Sequence, residues 1–283
     1  MKDKIFKILL YIASLTVLFL CAAMVYSLVS GAWIAFEKFG FFRFIFSCEW
    51  NPNPKQENYG AFPFIVGTLM TSFLALLFCL PLSLSVALFT GEYFKKSRLS
   101  SYVSSLVDLL AGIPSIVYGL WGFYFLRPLM IDWGLSDHGL GVLTSSIILS
   151  LMIIPYASSL SSEFIGMVPN EWKEGAYSLG ATRLDVIRTI VFPVAGSGIF
   201  ASYVLALGRA LGETMAVTML IGNTIQIPTS IMDTGNSMAS VIANQFSEAS
   251  GLKLSSLIAI GLLLFLITAI INFLGKYIMK RAF

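Results

Sequence analysis

The stretch that decides the organisation of this chain is Glu174-Gly175-Ala176, followed after three residues by Gly180 and after nine more by Ile190-Val191-Phe192-Pro193. It lies in a polar segment, residues 162–193, between two long apolar runs. The small residues at its centre let another surface approach the backbone closely. We therefore predict that this segment folds as a docking element and does more than connect its neighbours.

The rest of the chain is apolar enough to make the bilayer its main solvent. Of its 283 residues, 57% are hydrophobic and 12% are charged, with a mean hydropathy of +0.84, whereas soluble domains average about 25% charged residues. Runs this long and this uniformly apolar favour helices over the alternating strands of a barrel. We predict an all-α polytopic membrane protein with six transmembrane helices, at roughly residues 8–34, 62–90, 100–126, 139–161, 194–222 and 254–275, each near the length that a span needs.

Basic residues set the predicted orientation in the cell membrane. With the N-terminus inside, twelve Lys and Arg fall in inner segments, five fall in outer ones and Arg209 falls within a span. The positive-inside rule therefore places both termini, the 91–99 loop and segment 162–193 in the cytoplasm. We divide the chain into an N-terminal helix with its extracytoplasmic loop (1–61), a membrane core (62–275) and a cytoplasmic tail (276–283).

Local signals within the polar segment predict a helix–turn–helix hairpin across the membrane face. Asn170 is predicted to cap the first helix, with Glu171 in its first turn. Gly180 suits the left-handed position just beyond that helix. Thr182 and Asp185 have the spacing of a capping box and predict a second helix.

Pro193 is predicted to end the second helix and to lead into the fifth span. The alternative to a docking hairpin is an amphipathic hairpin that rests on lipid. Such a hairpin is rich in Lys and Arg on its polar face, whereas Glu171 and Glu174 flank a single Lys here. The composition therefore favours a protein partner.

Two charges lie four residues apart inside the predicted fifth span. Arg209 and Glu213 each cost about 2.5–3.5 kcal/mol at the bilayer centre, and Ser202 and Leu220 share their helical stripe. The pair either neutralises itself or contacts a substrate. Arg donors suit oxyanions, and Glu accepts a hydrogen bond from an anion that keeps a proton. We hypothesise that Arg209 attracts the anion and Glu213 selects a protonated one, as phosphate is and sulfate is not.

Other polar and helix-breaking residues within the spans leave more than one interpretation open. Asp108 belongs to the polar third of span three, where it is a helix-interface group, a partner of Arg209 or a pathway residue. Prolines that interrupt spans act as hinges or as static kinks. Three such prolines occur, Pro81, Pro114 and Pro155.

Several patterns of catalytic proteins are missing from the sequence. The Gly275-Lys276 pair lacks the rest of a Walker A motif, so ATP hydrolysis would fall to another subunit. His138 and the three scattered cysteines indicate neither a metal site nor a nucleophile constellation. We expect a non-catalytic membrane protein without its own cofactor or metal, and nothing predicts a nucleic-acid partner.

The spacing around Glu174 resembles the EAA loop of ABC-importer permeases, whose pattern is E-A-A, three residues, G, nine residues, I, one residue, L-P. Gly175 replaces the second Ala of that pattern, and Phe192 replaces the Leu. Further stretches resemble the phosphate permeases within this family. They are Trp50-Asn51-Pro52 with residues 62–72, residues 112–122, residues 207–217 and residues 238–244.

The resemblance implies a type I ABC-importer permease fold with a cytoplasmic coupling-helix hairpin. It also implies a complex with a second permease subunit (PstA type), an ATPase dimer (PstB type) that binds the ATP, and an extracytoplasmic phosphate-binding protein (PstS type). The substrate-path Arg and Glu of the family match Arg209 and Glu213. The residues implied to couple to the ATPase are Glu174, Gly175, Ala176 and Gly180.

Two other functions remain open at this point. The first is a permease for another oxyanion, such as sulfate or molybdate, and the second is a secondary transporter or channel that needs no ATP. A membrane enzyme is the weakest alternative, because no reactive constellation is present. The outward segment 223–253, with a short helix predicted near 237–246, lies where a binding protein would dock.

Overall fold

The computed structural model describes residues 2–53, 56–95 and 97–282. Lys55 and Lys96, which enter the charge balance above, lie outside the described residues. The helical fold class is confirmed, with one addition that the sequence did not predict. A short antiparallel ribbon joins β1 (Trp50–Asn51) to β2 (Asn58–Tyr59).

Helices account for most of the described chain. In chain order they are α1 (Lys2–Phe39), α2 (Phe41–Phe46), α3 (Phe62–Leu88), α4 (Arg98–Gly112), α5 (Ser115–Trp121), α6 (Arg127–Asp132), α7 (Val142–Gly166), α8 (Asn170–Ser178), α9 (Arg183–Val186), α10 (Phe192–Leu211), α11 (Met215–Leu220), α12 (Met238–Gln245) and α13 (Gly251–Ala282). Wider π-helical turns extend α3, α5 and α9, at Phe89–Tyr93, Gly122–Leu126 and Ile187–Val191.

The predicted number of spans is consistent with these helices. Within the described residues, five helical segments are long and apolar enough to cross a membrane. A sixth span results if the bent pair Arg98–Gly112 and Ser115–Asp132, which meet at 94°, is counted as one. The five unbroken segments are Phe6–Phe39, Phe62–Tyr93, Val142–Gly166, Arg183–Leu211 and Gly251–Arg281.

The third predicted span is not one continuous helix. Pro114 disfavours helical backbone at the residue before it, and both Ile113 (ψ 127°) and Pro114 (ψ 141°) are extended. Two successive extended residues turn the chain sharply. Pro81 and Pro155, in contrast, lie inside the unbroken helices α3 and α7, so the three prolines are not equivalent.

The fifth predicted span is also interrupted. Helix α10 ends at Leu211 and α11 begins at Met215, so the predicted helical stripe from Ser202 to Leu220 is wrong beyond Leu211. Glycine is a poor helix former, and Thr214 Oγ1 donates to the carbonyl of Gly212 at 3.3 Å. Side chains that bond to nearby backbone in this way compete with helix continuation.

Helix α7 forms the centre of the bundle, packed between α3 and α10. About three quarters of its most apolar window is buried (72%), whereas the corresponding window of α1 is 0% buried. Ser146 Oγ of α7 donates to the Thr71 carbonyl of α3 at 3.1 Å. Gly198 of α10 lies so close to the ring of Phe164 that any added Cβ would overlap it.

The end of the molecule that carries β1, β2 and α12 is built from short elements. The helix predicted near 237–246 is confirmed as α12, and the indole N–H of Trp50 donates to Gln245 at 3.1 Å. In the loop before α12, Asp233 accepts hydrogen bonds from the Thr229 hydroxyl and from two backbone N–H groups. These bonds, led by the hydroxyl, hold the pKa of Asp233 below its usual value.

Candidate functional site

The predicted hairpin is formed by α8 and α9, and we use the name hairpin for residues 169–191. Gly180 has the predicted left-handed backbone, with φ +85°. Ala181 N–H donates to the Ala176 carbonyl and Gly180 N–H to the Tyr177 carbonyl, at 3.1 and 2.9 Å. This is the Schellman pattern that closes a helix C-terminus. The sharp turn between α8 and α9 thus follows from one glycine.

The two predicted helix starts have different outcomes. The capping box of Thr182 and Asp185 is confirmed, with both reciprocal bonds present. Asn170 as N-cap is wrong, because α8 begins at Asn170 itself and the cap position is Pro169, which makes no side-chain cap bond.

Pro193 does not end the second helix, contrary to the prediction. Helix α9 runs through the π-helical turn into α10, and Pro193 lies in the first turn of α10. A proline has no N–H to bond to the preceding turn, and the wider π-helical turn lies just before it. The hairpin is therefore continuous with span α10.

Basic residues of the hairpin hold it to the end of α3. Lys173 Nζ lies 2.5 Å from Glu92 Oε2, and each side chain is only 7% exposed. The guanidinium of Arg183 lies 4.2 Å from the ring centre of Tyr93 and donates to the Tyr93 carbonyl at 2.7 Å. No local sequence pattern points to Glu92, because its partner Lys173 is 81 residues away along the chain. The one feature that could have indicated a buried ion pair here is the position of Glu92, a single carboxylate just after a long apolar run.

The opposite side of the hairpin is open. Leu179 is 91% exposed, and a Cβ added at Gly175 or Gly180 would meet no atom within 4 Å. Glu174 is exposed as well. Ala176 differs from the other predicted coupling residues, because it packs against the hydrophobic core. Large apolar side chains lie exposed on the same hairpin at Trp172, Tyr177, Leu179 and Leu184.

Arg209 lies near the end of α10, exposed on the surface of the single chain. Its guanidinium lies 4.1 Å from the ring centre of Tyr156, a residue well inside α7. Within the described part of the chain, the ion pairs closer than 4.0 Å are Lys38–Glu57 and Lys173–Glu92. Arg209 and Glu213 therefore do not form a direct ion pair.

Glu213 and Ser202 do not share one helical face, as a continuous fifth span would have required. Glu213 is half-buried in the non-helical break between α10 and α11. Ser202 is fully buried, and its hydroxyl donates to the Gly198 carbonyl of its own helix at 2.9 Å. The structure thus gives Ser202 a backbone partner.

Asp108 lines a polar cavity whose lining does not include Arg209. The cavity has a volume of about 200 Å³ and lies between α3, α4 and α7. Glu163 also lines it, so two carboxylates share the space. Hydroxyl groups complete its polar lining, at Thr90, Ser104, Ser158, Ser159 and Ser162. The two carboxylates would disfavour an anion inside this cavity.

The architecture of broken spans with a polar hairpin is that of a transport-system membrane subunit. Residues 79–283 match the family described as binding-protein-dependent transport system inner membrane component, and the chain belongs to this family. The predicted type I ABC-importer permease fold is confirmed by solved structures. A bacterial alginate ABC transporter, solved in complex with an alginate pentasaccharide-bound periplasmic protein, matches with a TM-score of 0.69 at 20% identity, over 99% of this chain and 97% of the other.

Full-length relatives narrow the similarity within the family. The chain is 40% identical to the phosphate transport system permease protein PstC of Pasteurella multocida (strain Pm70), over 94% of this chain and 88% of the relative. It is 39% identical to the PstC protein of Haemophilus influenzae (strain Rd), over 99% of this chain and 93% of that protein.

Proposed function

We propose that this chain is the PstC-type permease subunit of an ATP-driven phosphate importer. The observation that carries the proposal is the similarity, at about 40% identity over nearly the whole chain, to proteins named phosphate transport permeases. In this proposal the hairpin and both termini are cytoplasmic. The chain binds no ATP itself, and a partner ATPase supplies the energy for alternating access.

Arg209 is the proposed contact of the translocated anion. Its charge has no carboxylate partner within 4.0 Å among the described residues, and Tyr156 supports it from one side. Non-helical backbone at membrane depth is tolerated where it lines a water-filled cavity or is buried in protein. The break at residues 212–214 directly follows Arg209, which supports a pathway at this level.

A second permease subunit is needed to enclose this pathway. Arg209 is exposed on the flank of a single chain, and an exposed charge that faced lipid would be costly. A PstA-type partner that covers the flank would shield this charge from lipid and enclose the passage between the two subunits. The PstS-type binding protein would then deliver phosphate at the end that carries α12.

Glu213 is the proposed selector for a protonated anion. It is half-buried in the break, so its carboxylate is not fixed to the regular face of a helix. A carboxylate accepts a hydrogen bond from hydrogen phosphate but has no donor to accept from in sulfate. Glu213→Gln should therefore reduce the discrimination of phosphate against sulfate.

The open face of the hairpin is the proposed seat of the ATPase. The exposed apolar side chains of the hairpin offer area that a protein partner would cover. The small residues Gly175 and Gly180 leave space for close approach of the partner. Glu174 at the same face would add a polar contact.

Labelled phosphate uptake tests the proposal. The chain would be expressed with its candidate partner subunits in cells that lack their own phosphate importer, with and without excess sulfate. We expect ATP-dependent uptake that sulfate does not compete with, and an ATPase that co-purifies with the chain. Uptake that sulfate abolishes would indicate another oxyanion, and uptake without any associated ATPase would indicate a secondary transporter.

A further inference from the structure

We propose that Glu92 and Lys173 form a coupling strut, which passes movement of the hairpin to helix α3. This inference rests on the proposed function, in which an ATPase displaces the hairpin. Both residues are positioning residues, since they touch neither the anion nor the nucleotide. The strut is the buried ion pair itself, at 2.5 Å between Lys173 Nζ and Glu92 Oε2.

The two ends of the strut belong to different elements. Glu92 lies in the π-helical turn that extends α3, and Lys173 lies in the middle of α8. Such turns inside helices occur frequently at functional positions. Because each side chain is only 7% exposed, the pair is poorly screened by water, and separating its charges would leave both desolvated.

Neighbouring contacts prevent the hairpin from rotating about this single pair. Arg183 at the start of α9 stacks on Tyr93 and donates to its carbonyl. Lys95 Nζ donates to the Gly166 carbonyl at the end of α7, at 2.5 Å. Both arms of the hairpin and the end of α7 are therefore fastened to one short segment, residues 92–95.

Helix α3 carries this connection to the other end of the molecule. It is unbroken from Phe62 to Leu88 in spite of Pro81. At its far end, Thr68 Oγ1 accepts a hydrogen bond of 2.9 Å from the N–H of Met238, the first residue of α12. A displacement of α8 that the strut transmits would thus reach the segment where the binding protein is proposed to dock.

A buried ion pair suits this task better than an apolar contact. Apolar surfaces are non-directional and can slide past each other, whereas a desolvated charge pair fixes one register between two elements. Loss of one partner should therefore uncouple the hairpin from α3, even where the hairpin still binds its ATPase. This separates a coupling role from a role in folding alone.

The test uses the complete importer reconstituted in phosphate-free liposomes, with loaded binding protein outside and ATP inside. The variants are Glu92→Gln, Lys173→Met and the exchange Glu92→Lys with Lys173→Glu. The readout is ATP hydrolysed per phosphate transported. We expect this ratio to rise roughly tenfold in the single variants, a usual size for coupling between sites, and to return to within about twofold of the unchanged complex in the exchange variant.

A matched control breaks an exposed contact outside the hairpin. The guanidinium of Arg281 lies 4.7 Å from the ring centre of Tyr277 near the end of α13, and Arg281 is exposed, so Arg281→Gln should leave the ratio unchanged. Single variants that assemble and keep the normal ratio would overturn the inference. If the single variants do not assemble, the exchange variant decides the question. A raised ratio in an assembled exchange complex would overturn the inference, and a normal ratio would support it. Absence of ATP-driven uptake by the unaltered complex would instead overturn the proposed function, and this inference with it.

Discussion

The hairpin and the break after α10 both hold charged residues, but they treat them in opposite ways. At the hairpin, Lys173 is buried against Glu92 and Arg183 is held by Tyr93, so the basic groups are satisfied within the chain. At the break, Arg209 has an aromatic ring beside it but no carboxylate within 4.0 Å among the described residues.

The difference separates a mechanical region from a binding region. A charge that is already paired gains little from a ligand, whereas a guanidinium without a nearby carboxylate keeps its donors available for an anion. Solvent exposure follows the same division, since Lys173 is buried and Arg209 is exposed on the flank of the chain. Variants of each region test whether the hairpin acts mechanically and whether the region around Arg209 binds the anion.

The largest effect is expected at Arg209. Arg209→Leu removes the cationic fork and should lower phosphate uptake on the order of 100-fold or more, because hydrogen bonds to charged groups contribute about 1.5–3 kcal/mol each. Arg209→Lys keeps the charge without the planar fork, so its uptake rate should lie between those of the unaltered protein and of Arg209→Leu. Initial uptake rates at equal amounts of assembled complex measure both.

The matched control for Arg209 is Arg127, whose guanidinium also lies over an aromatic ring, that of Phe123 at 4.7 Å. Arg127→Leu removes a comparable cation–π contact away from the proposed pathway. Arg127 is partly buried and its Nε–H also donates to the His138 carbonyl at 2.9 Å, so the comparison is made at equal amounts of assembled complex, where uptake should stay within about twofold of the unaltered protein. Equal losses in the Arg209 and Arg127 variants would contradict the contrast drawn above.

An intermediate effect is expected at Tyr156. Its ring lies 4.1 Å from the guanidinium carbon of Arg209, and a cation–π contact contributes about 0.5–2 kcal/mol. Tyr156→Leu should therefore raise the phosphate concentration for half-maximal uptake by about two- to thirtyfold. Tyr156→Phe keeps the ring and should change it by less than about twofold. If the Leu and Phe variants behave alike, the ring does not position Arg209.

The smallest effect is expected at two glycines of the hairpin, with opposite signs. Gly180 has φ +85°, where an L-residue is strained by about 1–2 kcal/mol, so Gly180→Ala should speed amide hydrogen exchange of α8 roughly fivefold or more. Gly175 lies inside α8, where Ala is favoured over Gly by about 0.5–1 kcal/mol. Gly175→Ala should therefore slow the amide hydrogen exchange of α8. Exchange that changes in the same direction in both variants would contradict the assignment of Gly180 to the turn.

Local interactions explain which parts of the fold the sequence predicted. The Gly180 turn, the Thr182–Asp185 capping box and α12 depend on residues close in sequence, so their patterns are readable in the chain itself. The EAA-like spacing and the stretch around Arg209 identified the family for the same reason. The N-cap of α8 was misplaced by one residue, since Pro169 and Asn170 both suit a helix start.

Contacts between distant residues explain what was missed. Hydropathy alone made Pro81, Pro114 and Pro155 look alike, but only Pro114 follows extended backbone at Ile113 and breaks its span. The partner of Lys173 could not be chosen by pattern from the several acidic residues of the inner loops. The predicted pathway roles of Arg209, Glu213, Ser202 and Asp108 remain predictions, although the structure places Asp108 in a cavity whose lining does not include Arg209.

The sequence by itself determined that this chain spans a membrane, roughly where its spans lie, that its polar segment folds as a hairpin and to which family it belongs. These properties depend on hydrophobicity summed along the chain and on short-range capping, which neighbouring residues encode. Only the tertiary structure decided that spans three and five are interrupted and that Lys173 is buried against Glu92. It also decided that Arg209 lies beside Tyr156, with no carboxylate within 4.0 Å among the described residues. Those outcomes depend on which distant helices meet, because the cost of a buried charge is set by the groups that packing brings to it.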